Sequence, residues 1–363
     1  NEDLFFGFNT SIYETLKEDT DDKYEYIYPD LTLNKNLFNN NFGFLDLQTN
    51  YKVRKYDTNK FTNFLINDFN WSNRLNYSSI FKNKFLGNFK NINYETKNTN
   101  KYKNDTTTEL YGALGYLTQL ELRKNNSNNE HILRPKALLR YAPGSMRKEV
   151  DGNRLIPLTA FSMDRLDNLN NFETGFSSTL GFDYEIKGIE KKFDFSVAQI
   201  ISDKENKKMP SKTSLDEKLS DLVGNTKIEL NQNVDFRYNF ALDQNYKQLN
   251  YNEFSSNLNF DPMQIGFGYI LENKHIGDQE YIKTKIDYTK NNSLLSFETK
   301  RNLVSDSSEF YNLSYEYMND CLRAGLVYRR EFYNDSELEP ENSLMFKITL
   351  TPFGSINSPS AIK

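Results

Sequence analysis

Residues 234–242, VDFRYNFAL, place Val234, Phe236, Tyr238, Phe240 and Leu242 on one side of an extended chain. Asp235, Arg237, Asn239 and Ala241 fall on the other side. A period of two belongs to a strand with one apolar and one polar face, because successive side chains of a strand point to opposite sides. The same pattern runs through the chain. In TGFSSTLGFDYEIK, Phe176, Leu180, Phe182, Tyr184 and Ile186 oppose Gly175, Gly181, Asp183, Glu185 and Lys187. It returns in MQIGFGYIL (263–271), YIKTKIDYTK (281–290) and SLMFKITLTPF (343–353). No stretch shows convincing 3.6-residue spacing, and 213–220 is the nearest approach to a turn of helix. The expected fold is therefore all-β, an antiparallel up-and-down arrangement of roughly nineteen strands by the pattern count.

Connection lengths add direction. Over the last ten or so strands, short turns (231–233, 261–262, 291–292 and 318–320) alternate with longer polar loops (203–221, 244–248, 273–279, 304–308 and 333–342). A meander whose two ends face different surroundings has this form, and outer-membrane barrels have short turns at one end and long loops at the other. In the N-terminal half, Pro29 and Pro135 fall in strand-like runs, which suits an edge, a strand start or a bulge. Residues 144–157 read as a long insertion, and no linker divides the chain.

Two folds satisfy alternation: a soluble β-sandwich whose apolar faces meet, and a transmembrane barrel whose apolar face meets lipid. The turn asymmetry favours the barrel, as do small residues beside charges on the polar face (Gly181 by Asp183, Gly266 and Gly268 by Glu272). Aromatics near strand ends (Phe260, Tyr317, Phe332, Phe353) point the same way. Mean hydropathy is −0.75 and no window provides the ~18 apolar residues of a membrane helix. Net charge is −5, which gives no support to nucleic acid as a partner. The chain opens on Asn1 with no charged-then-apolar leader, and is expected to be processed or a fragment.

Several stretches resemble the LptD (OstA/Imp) family of outer-membrane lipopolysaccharide-assembly proteins. They are LRPKALLRYAPG (133–144), LTAFSMDRLDNLNNFETGFSSTLGFDYE (158–185, with Arg165, Asp167, Glu173 and Gly175), SDLVG (220–224) and NDCLRAGLVYRREFYNDSELEPENSLMFKITLTPFGS (319–355). The resemblance implies that residues 1–363 form the C-terminal part of an LptD-type barrel, without the periplasmic jelly roll and first strands. It also implies a Gram-negative outer-membrane location and lipopolysaccharide translocation without catalysis. The implied partners are lipopolysaccharide, the plug lipoprotein LptE, the periplasmic bridge protein LptA, and the barrel-assembly machinery for insertion.

The last strand, with Leu344, Phe346, Ile348, Leu350 and Phe353, would then border a lateral gate. Cys321, the single cysteine, follows a short turn; the resemblance makes it a candidate for an inter-domain disulfide, whereas by itself it reads as an inert thiol. Arg323, Arg329, Asp235 and Arg237 are expected to face the lumen, and Arg323, Arg329, Arg330 and Glu331 to meet either phosphates or one another. His131 and His275 stand apart with no ligand partners at useful spacing, so no metal, cofactor or catalytic set is expected. The alternative function is a general or substrate-specific porin, which would carry a loop folded into the lumen. A soluble carbohydrate-binding sandwich is the third.

Overall fold

Tight turns fix where each strand begins. The computed structural model describes residues 4–15, 21–75, 80–126, 128–166, 168–189, 191–332, 342–350 and 354–357. The chain forms two compact units, one of residues 1–122, 133–183 and 197–222, the other of residues 123–132, 184–196 and 223–363.

In the first unit, β1 (Leu4–Glu14), β2 (Tyr24–Asn40), β3 (Gly43–Tyr56), β4 (Phe61–Leu75), β5 (Phe81–Lys97) and β6 (Thr107–Leu120) pair in chain order, each antiparallel to the last. After the short β7 (Leu122–Asn125), β8 (Asn129–Ala142) pairs with β6 through Lys136–Tyr141. β9 (Gly175–Gly188) and β10 (Lys192–Ser202) follow; residues 123–125 of β7, 129–132 of β8, 184–188 of β9 and 192–196 of β10 are counted with the second unit. Pro29 sits where the β2 register slips between Ile27 and Asp30, which is the irregularity a strand proline demands. The β2–β3 turn closes on Gly43 at φ +123°, where any side chain would also collide with the Ser72 carbonyl.

In the second unit, β11 (Leu222–Asn231) is followed by β12 (Val234–Leu242), β13 (Leu249–Phe260), β14 (Met263–Glu272), β15 (Gln279–Lys290), β16 (Ser293–Asn302), β17 (Ser307–Met318), β18 (Leu322–Glu331), β19 (Asn342–Leu350) and β20 (Gly354–Asn357). From β12 to β20 each strand pairs antiparallel with the next. Residues 232–233, 261–262 and 291–292 are two-residue turns, and Asn291 takes the left-handed conformation that such hairpins require. The intervening loops at 243–248, 273–278 and 303–306 are longer. The alternation read from the sequence is thus present, though the longer loops here are modest.

In both units one face of the strands is apolar and uncovered. Leu65, Phe85, Phe89, Leu110, Leu139 and Leu180 are exposed in the first, and Leu114, at the middle of β6, is 69% exposed. Phe267, Leu295, Leu313, Tyr315, Leu326 and Phe346 are exposed in the second. Neighbouring rings on this face pair across strands, Phe85 with Tyr116 (5.2 Å) and Phe236 with Phe254 (6.1 Å). A sandwich would bury these side chains against a second sheet, and in water a patch of this extent would aggregate. The fold is an all-β, antiparallel up-and-down array of the transmembrane-barrel type, as expected from the sequence, and the soluble-sandwich alternative is set aside. No helix among the described residues is long and apolar enough to cross a membrane. The spans are strands, and strand-built spans belong to the outer membrane, as the sequence led us to expect.

Candidate functional site

The polar face of the first unit is covered. Residues 143–174, between β8 and β9, and residues 203–221, between β10 and β11, fold together as one insert. Glu149 N–H donates to the Lys208 carbonyl (2.8 Å), the Asn206 amide to the Thr174 carbonyl (3.3 Å), and Lys208 Nζ to Ser145 Oγ (2.6 Å). Gly152 lies so close to Pro210 and Thr213 that a Cβ there would come within 3.1 Å of both. Met146, Leu155, Leu166, Met209 and Leu215 of the insert are buried.

The strands beneath supply an apolar seat. Phe64 and Ile66 of β4, Ile92 and Tyr94 of β5, Tyr111 and Ala113 of β6 and Ala142 of β8 are buried around Phe172 of the insert. Phe172 stacks on Tyr111 at 6.0 Å. Two glycines deepen the seat: a Cβ on Gly115 would meet Met163 Sδ at 2.5 Å, and one on Gly181 would meet Phe161 at 3.1 Å and the Val197 carbonyl at 2.2 Å. Larger residues at these points would lift the insert or part the strands.

Beside the apolar seat lies a buried charge cluster with three cations and three carboxylates. Lys90 of β5 pairs with Asp164 of the insert (2.7 Å) and Asp68 of β4 (3.5 Å), and donates to the Asn171 carbonyl (3.3 Å). Arg140 of β8 donates to the carbonyls of Met163 (2.6 Å) and Glu173 (2.5 Å), and its guanidinium also lies 3.7 Å from the Glu173 carboxylate. Arg165 holds that carboxylate with two donors, Nε at 2.7 Å, and donates to Ser177 Oγ of β9 (3.0 Å). Burial pushes the Glu173 carboxyl up, but Arg165 and Arg140 beside it pull harder, leaving it below the ordinary carboxylate range.

A second clamp is aromatic. The Arg147 guanidinium lies 5.3 Å from the Tyr94 ring and 5.1 Å from the Tyr102 ring and pairs with Glu109. Glu149, itself buried, pairs with Lys101 and accepts from Asn168 (2.7 Å). Each clamp joins the insert to a different part of the unit. Unseating it would strand charges in an apolar setting, which costs several kcal/mol per ion.

Of the residues singled out in the sequence, Arg165 and Glu173 meet in this cluster, and Gly175 (φ +125°) starts β9 directly after it. Asp167 lies outside the described residues. Sequence reasoning missed Lys90, Asp68, Asp164 and Arg140. The expected lumen residues lie on the polar face of the second unit: Asp235 and Arg237 pair at 3.7 Å, Arg323 pairs with Glu316 (2.6 Å), and Arg329 with Glu331 (2.6 Å). They do not converge on one point. Cys321 is an exposed free thiol in the 319–321 turn, its N–H bonded to Asn319 Oδ1. Leu344, Phe346, Ile348 and Leu350 share the apolar face of β19, whose edge pairs with β20 from Lys347 to Leu350; Phe353 lies outside the described residues. His131 Nδ1 lies 2.9 Å from the Tyr184 hydroxyl, and no metal-ligating group occurs among the described residues.

No family model matches the chain, and no curated protein does. Solved structures align over most of it at very low identity. The siderophore receptor PirA from Acinetobacter baumannii aligns with 96% of this chain and 69% of its own at 7% identity, TM-score 0.48. The copper transporter OprC aligns with 95% and 67% at 10% identity, TM-score 0.42. A mutant Rh. blastica porin aligns with 82% and 91% at 9% identity, TM-score 0.31.

The resemblance to the LptD family is corrected here: the aligned structures, PirA, OprC, PfeA, FrpB and the porin, are receptors, transporters and porins, and none of these is an LptD. The physical reason is that lipid on one side and water on the other impose the same alternation, turn residues and terminal aromatics on every such barrel. Short matches built from these features therefore carry little identity. The roles that came from the resemblance alone, with lipopolysaccharide, LptE and LptA as partners and Cys321 as a disulfide, lose their support with it.

Proposed function

We propose that these strands belong to an outer-membrane transport barrel in which a polar solute passes along the polar face and the insert narrows its path. The observation that supports this most directly is the insert itself. A segment from the long-loop end is folded back onto the polar face and clamped there by Lys90, Arg140, Arg165 and Arg147 with their carboxylates. A loop folded into the lumen is what a porin-like channel calls for, and lipid-facing walls with a water-facing interior provide the conduit. Transport of this kind needs no bond making or breaking, and the reading assigns the chain no catalysis. Insertion by a barrel-assembly machinery belongs to the same reading.

Planar-bilayer recording on the purified protein tests it. The wild type is expected to give discrete ion conductance. Replacing residues 147–170 by a short Gly-Ser linker is expected to raise the unitary conductance about twofold or more, since pore radius controls flow. Absence of conductance from a folded, membrane-inserted protein would overturn the reading. An unchanged conductance in the linker variant would remove the insert from the path.

A further inference from the structure

Within the strands from β12 to β19, seven lysines and arginines share the polar face with eight carboxylates, of which Glu272 at the end of β14 is fully buried. Net charge therefore gives anions no advantage.

Exposure does distinguish them. In four ion pairs the cation is at least twice as exposed as its carboxylate: Arg237 56% against Asp235 23%, Lys283 51% against Glu298 20%, Lys285 50% against Asp287 16%, and Arg323 48% against Glu316 18%. In the Lys300–Glu309 and Arg329–Glu331 pairs the two partners are equally exposed, and none of the six is reversed. Donors rooted in the strands hold some of the carboxylates down. Asn257 donates to Asp235 at 3.1 Å, and Ser296 donates to Asp287. Long lysine and arginine stems carry their heads above this layer.

We infer that this face is a charge double layer that presents its positive side to passing solutes, so that the barrel favours anions. The inference rests on the transport reading above and names the solute class for it. A cation more exposed to the solute than its partner carboxylate outweighs it, because the Coulomb term falls with distance and the less exposed carboxylate is screened by neighbouring side chains. The preference is short-ranged. It is largest at low salt and fades as the Debye length shrinks from about 10 Å at 0.1 M to about 3 Å at 1 M.

The test is the reversal potential of the full chain in a planar bilayer under a KCl gradient. Wild type is expected to pass chloride over potassium by roughly twofold or more near 0.1 M, with the ratio approaching one near 1 M. Combined Lys283→Gln, Lys285→Gln and Arg323→Gln substitutions are expected to bring the low-salt ratio to one or below, and the Glu versions to favour potassium. The Gln set keeps a hydrogen-bonding side chain at each position, so a folded variant is available if the Glu set fails. Open channels with no preference or with potassium preference, or a chloride preference that the Gln set leaves intact, would overturn the inference while the transport reading stands. A silent bilayer would overturn both.

Discussion

Glu173 answers to two guanidiniums in a largely buried site, so its worth is set by what its loss leaves behind. Glu173→Gln keeps the shape and removes the charge, leaving Arg165 and Arg140 buried without their shared partner. The expected cost is about 3–5 kcal/mol, the range for breaking a buried pair from one side, read as a lower urea midpoint for the folded barrel in detergent. The same carboxyl gives the insert a pH dependence of known sign. Its pKa is depressed in the folded state relative to the ordinary 4.5, so its contribution is intact above that value and is lost as pH falls through the folded-state pKa. Amide protection in residues 143–174, taken as the intrinsic exchange rate at each pH divided by the observed one, is expected to be high at pH 7 and to fall in strongly acidic buffer. Protection that is equally high at both would show that the cluster does not secure the insert.

At the level of elements, glycines on the polar face differ in what they allow. Gly181→Ala drives a methyl group into the Val197 carbonyl of the neighbouring strand and is expected to cost about 1–3 kcal/mol. Gly268→Ala meets only Lys283 atoms at 3.9 Å and is expected to fall within about 0.5 kcal/mol of wild type. Equal urea midpoints for the two variants would contradict this. The strands themselves were legible because lipid and water enforce a strict period of two, and each element from β12 to β18 begins within a residue or two of where the alternation placed it. The insert was legible as two separate breaks, a long insertion at 144–157 and a polar loop at 203–221, and not as one body. Its true extent, 143–174 with 203–221, has no period, and its one short helix, Pro157–Ala160, is a single turn. Residues 214–220, the nearest approach to helical spacing in the sequence, are not helical; a single 3₁₀ turn precedes them at Ser211–Thr213. A signal for the seat did exist. Phe64, Leu65 and Ile66 run apolar without a break, and Lys90 shares a strand face with Ile92 and Tyr94, so these strands are apolar on both sides and need cover on both. Which segment supplies the cover depends on contacts as distant as Lys90 to Asp164, and no local pattern carries those.

For the whole molecule the uncovered apolar face is the deciding feature, and it can be tested without knowing what is carried. Leu114→Arg places a charge at the centre of β6 on that face and is expected to destabilise the protein in a bilayer by about 2–4 kcal/mol. The measurement is the folding equilibrium in lipid vesicles under urea, and a cost under 0.5 kcal/mol would take Leu114 out of the hydrocarbon. The unequal connections give the molecule an inside and an outside. Turns such as 232–233 and 291–292 have no residue to spare, whereas 243–248 and 273–278 hold six residues each between their strands. A peptide tag spliced into 243–248 or 273–278 should be displayed on intact cells and bind antibody there, while the same tag at 291–292 should abolish assembly. The molecule thus offers the surrounding medium a set of replaceable words, and to the cell that makes it a fixed grammar.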